Sequence, residues 1–405
     1  MKTTTVPPAC TNPSAAGAAA LQPAVPGWRP PQRAAQAAGI VAGLAMLAVL
    51  VSDHGLRQGL AFLIGGGLGF ALHQSGFGFA SGYRRFFAQR DPTLVEAQLL
   101  LVAATTVLLA PLLATGQFLG QPLSPASAPL ALSVALGAFL FGIGMQLASG
   151  CGSGTLYALG TGNLRMGVVL IAFCAGGFWA SLDAGSWASL PDAGDVVLGE
   201  ILGWGNAVAV QLAFVALLFA ALLRFARRRP AERRTTRWLR GPWPLWAGVV
   251  ALALLNAATA LVAGHPWTIT WAFTLWAAKS AVLLGWDPAT SSFWQGEFQS
   301  SALASGVLED TTSVMDIGTL LGAALGATAS RGFAFTLQLR WRPLVAAVAG
   351  GLMMGYGARL AYGCNIGAFV SGAASTSLHG WLWIACALPG TWLGMRLRPH
   401  FGLGG

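Results

Sequence analysis

Long apolar segments, separated by short polar stretches, follow one another along almost the entire chain. They lie near residues 36–52, 58–82, 94–115, 129–149, 165–182, 196–223, 243–263, 267–285, 314–338, 343–362 and 381–396. Most of them approach the roughly 20 residues that a helix needs to cross the hydrocarbon core of a bilayer. Several are short or interrupted by glycine, so we expect about nine to eleven transmembrane or re-entrant helices. The glycine-rich stretch 64–79 is a candidate to enter the membrane and return on the same side.

The composition agrees with this pattern. Charged residues make up 9% of the 405 residues and hydrophobic residues 55%, whereas about a quarter of a soluble domain is charged. So few charges cannot cover soluble domains of this size, which excludes a soluble enzyme and a nucleic-acid-binding protein. The apolar content also excludes a disordered chain. We therefore predict an all-α integral membrane protein embedded in a lipid bilayer.

The distribution of charge indicates which loops share a side of the membrane. Eight arginines lie between Arg224 and Arg240, and the net charge of the chain is +10. Because cytoplasmic loops carry an excess of Lys and Arg, we interpret 224–242 as a basic cytoplasmic loop. The same rule places five further arginines on that side: Arg84, Arg85, Arg90, Arg396 and Arg398. Loop 183–195, which is acidic, and loop 286–313 are expected outside.

The basic loop divides the chain into two membrane units. The predicted organisation is a disordered Pro- and Ala-rich tail (1–35), a first membrane repeat with flanking helices (36–223), the basic loop (224–242) and a second membrane repeat (243–398). The tail lacks the basic-then-apolar pattern of a cleaved signal peptide. Cys10, which lies in the tail, is interpreted as incidental.

The two membrane units share a sequence pattern. GIGMQLASGC at 142–151 matches GYGARLAYGC at 355–364 with an offset of 213, and further glycines continue the match at the same offset. A weaker match pairs SGFGF at 75–79 with RGFAF at 331–335. Repeats of this kind are typical of transporters, whose binding site lies where the halves meet. Loop charges favour an inverted arrangement and segment counting favours a parallel one, so the orientation stays open.

Each repeat contains a cysteine in a polar, glycine-dense motif that cannot form a continuous membrane helix. We expect a helix break at Cys151 and at Cys364, with a second helix beginning near Gly152 or Asn365. The N–H groups and positive dipole of that helix would form an anion site beside a thiol. The predicted pathway residues are Cys151, Cys364, Gly150, Gly152, Gly154, Gly363, Asn365 and Gly367. Arg165 and Arg359 flank the motifs and are candidates to attract an anion.

The remaining candidates are weaker. Cys174 and Cys386 lie in smooth apolar segments and are expected to be packing residues. The histidines lack metal-ligand spacing, and the chain lacks a phosphate-binding loop, so we predict neither a cofactor nor an enzymatic activity. Lys279 is the one buried cation, either reaching the interface or attracting an anion. No buried Asp or Glu stands out as a proton carrier.

The motifs ASGCGSG (148–154) and AYGCNIG (361–367) resemble the two halves of the YeeE/YedE family of sulphur-transport proteins, over about residues 58–398. The resemblance implies a monomeric, channel-like helical fold with pseudo-twofold symmetry. It makes Cys151 and Cys364 the pathway cysteines, between which thiosulfate passes by S–H···S contacts without a covalent intermediate. Many members carry a further cysteine in a GFCF-like segment. Here Gly78 and Ala334 occupy such positions, so the first thiol of the pathway is missing.

These observations lead to one main hypothesis and two alternatives. The main hypothesis is a multi-pass transporter of a small sulfur-containing anion, thiosulfate or a related species, in the bacterial inner membrane. A cytoplasmic sulfur-carrier protein is a candidate partner. The first alternative is a membrane thiol–disulfide redox protein that uses Cys151 and Cys364. The second is a structural or regulatory membrane partner, which only the basic loop supports.

Overall fold

The computed structural model describes residues 28–187, 189–225, 238–337 and 340–404. The α-helices in this part of the chain are α1 (Gln32–His54), α2 (Leu56–Ser75), α3 (Phe79–Gln89), α4 (Thr93–Thr115), α5 (Leu132–Ala148), α6 (Gly152–Gly160), α7 (Arg165–Leu182), α8 (Ala184–Trp187), α9 (Leu198–Leu202), α10 (Trp204–Phe225), α11 (Leu245–Ala263), α12 (Thr270–Leu283), α13 (Glu297–Ala304), α14 (Thr311–Ala329), α15 (Trp341–Leu360), α16 (Gly372–Ala374) and α17 (Leu378–Leu397). A π-helix spans Asn365–Ser371. Four short strands form two antiparallel pairs: β1 (Gln117–Phe118) with β2 (Gln121–Pro122), and β3 (Pro129–Ala131) with β4 (Asp192–Asp195).

The all-α membrane class predicted from the sequence is confirmed. Nine helical segments of the described chain are long and apolar enough to cross a bilayer. In α1 and α10 most of the apolar surface is exposed, as expected of helices that face lipid. Residues 1–27 of the predicted tail and 226–237 of the predicted basic loop lie outside the described residues. Helix α1 begins at Gln32, four residues inside the predicted tail.

The glycine-rich stretch 64–79 does not turn back within the membrane, contrary to our expectation. Its first part belongs to α2, which is continuous from Leu56 to Ser75. The glycines serve close helix packing instead: a Cβ added to Gly65 or Gly69 would collide with backbone atoms of Met315 or Thr319 on α14. Small residues allow backbones to approach this closely, and such contacts hold membrane helices together.

The chain path places basic and acidic loops at opposite ends of the helix bundle. At one end Gly241 contacts Gln74 where α2 ends, and Arg398 donates to the carbonyl oxygen of Gln146. This end, which carries Arg84, Arg240 and Arg398, is called the arginine end below. At the opposite end, called the acidic end, Ser127 donates to Asp195, Tyr356 to Asp183 and Trp271 to Asp310. The separation agrees with the loop orientation expected from charge.

Helices α5 and α15, which carry the matching sequences, cross in antiparallel orientation. A Cβ added to Gly137 would lie 2.7 Å from the carbonyl oxygen of Gly357, and one added to Gly350 would lie 2.7 Å from that of Gly144. Gly350 and Gly357 are Gly137 and Gly144 shifted by 213 residues, so the two contacts exchange under a twofold rotation. The orientation that the sequence left open is therefore inverted for α5 and α15.

Helices α2 and α14, which precede the weaker matching sequences, run parallel instead. Gly65 packs against Met315, and Gly69, one turn later, packs against Thr319, one turn later on α14. The difference arises from α4, the additional segment that crosses the bundle in the first half only. One extra crossing reverses the direction of everything that follows it. The segment count favoured a parallel arrangement because it included α12, which passes through only half of the bundle, as a full crossing.

Helix α12 is a half-length helix that begins inside the protein. After α11 the chain returns into the bundle, where the Trp267 N–H donates to the side-chain oxygen of Asn256 in the middle of α11 (2.8 Å). Helix α12 then runs back to the acidic end, where the Lys279 Nζ donates to the carbonyl oxygens of Leu303 (2.8 Å) and Ser305 (2.5 Å). The N-terminus of α12 is thereby directed towards the centre of the protein.

Candidate functional site

Each motif cysteine lies between a long helix and a shorter helical segment. Cys151 joins α5 to α6, and Cys364 joins α15 to the π-helix. The backbone angles agree closely, with φ −92° and ψ −170° at Cys151 and φ −109° and ψ −167° at Cys364. Two residues before each cysteine the chain adopts a left-handed conformation, at Ser149 (φ 67°) and Tyr362 (φ 55°). The second helical segments begin where the sequence analysis expected them, at Gly152 and Asn365.

Both thiols face the first turn of the helical segment that follows them. Two backbone N–H groups are close enough to interact with each sulfur: those of Ser153 and Gly154 beside Cys151, and those of Ile366 and Gly367 beside Cys364. The Cys151 sulfur also lies 3.4 Å from the Ser153 hydroxyl. Free N–H groups at a helix N-terminus favour negative charge. Each break therefore combines a buried thiol with donors for an anion.

The two breaks meet at the centre of the protein. A Cβ added to Gly152 would lie 3.4 Å from the sulfur of Cys364, and one added to Gly154 would lie 3.5 Å from the sulfur of Cys151. Both cysteines are buried and unpaired. An amide hydrogen bond from Asn365 to the Tyr83 hydroxyl (3.3 Å) links the second break to α3. Tyr83 also lies within electrostatic range of Cys151.

The remaining predicted glycines, Gly363, Gly150 and Gly367, differ in their backbone conformation and in what surrounds them. Gly363 has a φ of 149°, in the region that favours glycine, and its added Cβ would lie 2.7 Å from the backbone nitrogen of Ala368. Gly150 is in ordinary contact with Gly154 and Thr155 and lines no thiol. Gly367 faces Thr268, whose hydroxyl lies 3.1 Å from the added Cβ. Only Gly152, Gly154 and Gly367 therefore border the space next to the cysteines or the cavity beside them.

A cavity of about 90 Å³ lies on the acidic-end side of Cys364. It is lined by Thr268, Thr270, Trp271, Thr274, Ala358, Arg359 and Tyr362. Its volume is several times what one water molecule requires. The guanidinium of Arg359 lies 4.4 Å from the centroid of the Phe293 ring. The cavity thus offers hydroxyl groups, the N-terminus of α12 and one arginine to a small anion approaching Cys364.

Three arginines converge at the arginine end, next to the break at Cys151. Arg165 donates to the carbonyl oxygen of Ala148 (3.0 Å), and Arg398 donates to those of Gln146 (2.5 Å) and Gly404. Burial, and then the charges of Arg84 and Arg165, lower the pKa of Arg398 to about 9. Arginine keeps its charge at neutral pH. Arg84, Arg165 and Arg398 therefore form a positive cluster, called the arginine cluster below.

The arginine cluster retains unused hydrogen-bond donors. In the described part of the chain, Nη1 of Arg84 and Nε of Arg165 are buried without a partner. Sequence analysis identified Arg165 as a candidate for anion attraction but used Arg84 and Arg398 only to orient loops. Their convergence depends on the ends of α3, α7 and α17 coming together around the end of α5, which no local pattern reveals.

Asp316 contradicts the expectation that no buried acid stands out. It lies on α14, is 0% exposed, and neither carboxylate oxygen has a hydrogen-bond partner among the described residues. Sequence analysis passed over it because the neighbouring residues are apolar and the segment average remained high. The presence of one acid within an apolar segment could have identified it, since ionisable residues within membrane helices are rare.

The other candidates lie away from the two breaks. Cys386 is half-buried among apolar side chains, as expected for a packing residue. Cys174 is half-buried on α7 and interacts electrostatically with Asp316. Lys279 is occupied by two carbonyl oxygens at the acidic end. Gly78, where the resemblance places a further thiol, is the residue that precedes α3 at the arginine end.

Comparison with known proteins assigns the family. The model of the family described as "Sulphur transport" matches residues 74–393, most of the chain and all of both breaks. The protein therefore belongs to the sulphur-transport (YeeE/YedE) family, as its cysteine motifs indicated.

Three curated relatives give the particular proteins to which the chain is similar. It is 31% identical to "Probable transporter YedE" of Salmonella typhimurium and 30% identical to "Probable transporter YedE" of Escherichia coli, in both cases over 166 residues. These matches cover 40% of this chain and 40% of each relative. It is 25% identical to "Thiosulfate transporter TsuA" of Spirochaeta thermophila over 342 residues, which is 82% of this chain and 96% of that protein.

Proposed function

We propose that the protein imports a sulfur-containing anion, thiosulfate or a related species, across the bacterial inner membrane. The observation that carries the proposal is the meeting of Cys364 and Gly152, which brings the two breaks together midway between the cavity and the arginine cluster. The acidic end then faces outwards and the arginine end faces the cytoplasm, following the positive-inside rule. The name of TsuA supports thiosulfate as the substrate.

The groups between the cavity and the arginine cluster would contact the anion one after another. Arg359 and the hydroxyls of the cavity attract the anion at the outer side, and the Cys364 thiol receives it. The Cys151 thiol receives it next, and the arginine cluster attracts it towards the cytoplasm. A thiol is a weak hydrogen-bond donor and its sulfur is polarisable. It suits the terminal sulfur of thiosulfate, while backbone N–H groups stabilise the charge.

Uptake of radiolabelled thiosulfate by cells that lack other thiosulfate uptake systems tests this function. Cells that express the protein are expected to accumulate the label, and unlabelled sulfur anions that share the pathway are expected to compete. The matched control is a double Cys151→Ala, Cys364→Ala variant at equal membrane abundance. If neither thiosulfate, sulfite nor another sulfur species is taken up above this control, the proposal is wrong.

A cytoplasmic sulfur-carrier protein is the partner that we propose for the arginine end. The support is chemical: this end presents the exposed arginines Arg90, Arg240 and Arg342, and the sequence adds the basic loop 224–242. An acidic carrier would be attracted to such a surface. Co-purification of a carrier that depends on ionic strength, and that is lost when arginines of the loop are replaced, is the expected result.

The closeness of the two breaks also favours one second candidate, a thiol–disulfide redox protein. The Cys364 sulfur lies beside Gly152, the residue that follows Cys151. A disulfide requires the two Cα atoms to approach within about 7 Å. Mild oxidation followed by mass spectrometry of the purified protein distinguishes the two functions. Rapid formation of a Cys151–Cys364 disulfide, together with an absence of uptake, would favour the redox function.

A further inference from the structure

We propose that Asp316 is a proton-binding site that couples import of the anion to import of a proton. The inference rests on the proposed transport function and adds its driving force. Asp316 lies on α14, which is itself a candidate membrane span, and it is 0% exposed. Both carboxylate oxygens are buried without a hydrogen-bond partner in the described part of the chain.

A structural role does not account for Asp316. Asp310, at the start of the same helix, shows what a structural role looks like: it accepts hydrogen bonds from the Ser313 N–H (2.8 Å), the Ser313 hydroxyl (2.6 Å) and the Trp271 indole (3.2 Å). Asp316, by contrast, caps nothing and pairs with nothing that the structure describes. An isolated carboxylate is accommodated inside a protein only in its neutral form, because burial of the charge costs far too much. A bound proton removes that cost, so the surroundings of Asp316 suit a carboxyl group that binds and releases a proton.

The position of Asp316 connects it to the pathway. It is close enough to interact electrostatically with Cys364 and with Cys174 on α7. One and two turns further along α14, Leu320 and Ala323 contact Gly160 of α6, so this face of α14 is directed to the centre of the protein. An anion at Cys364 would be repelled by a charged Asp316 and accepted by a protonated one.

The other ionisable groups on the helices packed against α14 have partners elsewhere or lie near helix ends. Arg57, on α2, donates to the carbonyl oxygens of Val262 and Ala263. His73, on α2, lies near the arginine end, where it meets Ser330 and Gly326. Lys279, on α12, is bound to loop carbonyls and interacts with Glu309 and Asp310 at the acidic end. Tyr157 on α6 interacts with Cys151 and Arg84. The ionisable side chains of α1 lie near its two ends: Arg33, Asp53 and His54. Tyr83 on α3, by contrast, is held by the amide of Asn365, the residue after Cys364.

The proposed cycle moves one proton and breaks no bond. Asp316 takes a proton from the outer side, which permits the anion to bind at Cys364. After the anion has passed to Cys151 and the arginine cluster, Asp316 releases the proton towards the cytoplasm. A dianion such as thiosulfate then enters with one proton, so that one net negative charge crosses instead of two. The pH gradient across the membrane contributes to accumulation.

Reconstituted liposomes test the coupling directly. The full-length protein is inserted into vesicles that contain a fluorescent pH indicator, and radiolabelled thiosulfate is supplied outside. With one coupled proton, an outside medium more acidic by about one pH unit raises the steady-state accumulation ratio about tenfold. Addition of thiosulfate should also acidify the vesicle interior. The Asp316→Asn variant is expected to allow downhill uptake but to lose both effects.

Two further variants keep the test decisive. Asp316→Glu retains the ionisable group and is expected to keep coupled uptake, whereas Asp192→Asn, which removes an exposed acid at the acidic end, should behave as the parent protein. Thermal unfolding of each purified variant identifies those that have lost the fold.

If the parent protein takes up thiosulfate regardless of the pH gradient, proton coupling is wrong and the transport function stands. If the parent protein takes up none, both fail. Gradient-dependent uptake by Asp316→Asn would also overturn the inference.

Discussion

The sulfur of Cys364 lies 3.4 Å from the position that a Cβ on Gly152 would occupy. This contact joins a residue of the second half to the first residue of α6 in the first half. The absence of a side chain at Gly152 leaves a gap beside the Cys364 thiol, where the two breaks meet. Under the proposed function, a substrate that passes from Cys364 to Cys151 would move through this gap.

Filling the gap is therefore predicted to impair transport without unfolding the protein. In Gly152→Ala the new methyl group would meet Cys364 and Phe173 at ordinary contact distances of 3.4 and 3.7 Å. We expect thiosulfate uptake to fall about tenfold or more, because the methyl group would occupy the space through which the anion passes, and a tenfold change corresponds to only about 1.4 kcal/mol in the barrier. The unfolding temperature should change little. Gly167→Ala, whose methyl group would meet Leu159 at 3.6 Å, is the matched control.

Replacement of either pathway cysteine is predicted to abolish uptake. In Cys151→Ala and Cys364→Ala one small buried side chain is lost, so the protein should still fold and insert. Cys→Ser at the same positions retains a donor of similar size and separates a general hydrogen-bonding role from one that requires sulfur. Cys174→Ala and Cys386→Ala serve as controls and should transport near the parent level. Normal uptake by Cys151→Ala or Cys364→Ala would contradict the pathway.

The crossing of α5 and α15 is predicted to tolerate no added methyl group. In Gly350→Ala the Cβ would lie 2.5 Å from the Ala148 nitrogen, and in Gly137→Ala it would lie 2.7 Å from the Gly357 oxygen. Overpacking of this kind costs about 1–3 kcal/mol of unfolding free energy. Unfolding midpoints in detergent should fall for both variants by similar amounts. Gly185→Ala, which adds its methyl group in open space, should leave the midpoint unchanged.

The arginine cluster is predicted to divide into binding and structural members. Arg84→Gln removes the partnerless Nη1 and should weaken apparent affinity about tenfold or more, as expected for loss of a charged hydrogen bond to the anion. Its unfolding midpoint should stay near that of the parent. Arg165→Gln and Arg398→Gln also deprive the end of α5 of donors, so both affinity and midpoint should fall. Arg342→Gln removes an exposed charge at the same end and is the control for general electrostatics.

The sequence predicted the elements of the site better than their arrangement. The offset of 213 residues and the glycine density located both breaks, and the second segments do begin at Gly152 and Asn365. These features are local, because helix breaks and N-termini are determined by nearby residues. The membrane class followed from composition alone, because so few charged residues cannot cover soluble domains of this size.

The remaining features depend on contacts between distant segments. Arg84 and Arg398 are 314 positions apart in the chain, yet both belong to the arginine cluster. Helix α12 has the apolar composition of a crossing helix, and only the hydrogen bond from Trp267 to Asn256 shows that it starts halfway through. The sequence did not single out Asp316, because mean hydropathy is taken over a window of residues. The free-energy cost of burying a charge, in contrast, depends on one carboxylate and its immediate surroundings.

The glycine contacts between α5 and α15 also limit how the protein can move. Because backbone lies against backbone there, no layer of side chains can rearrange to let one half slide or rock against the other. Motion during a transport cycle is therefore confined to short segments, of which the π-helix that follows Cys364 is the least regular. Small local rearrangements have low enthalpic barriers. The rate of uptake is accordingly expected to rise less steeply with temperature than in a transporter whose two halves must swing.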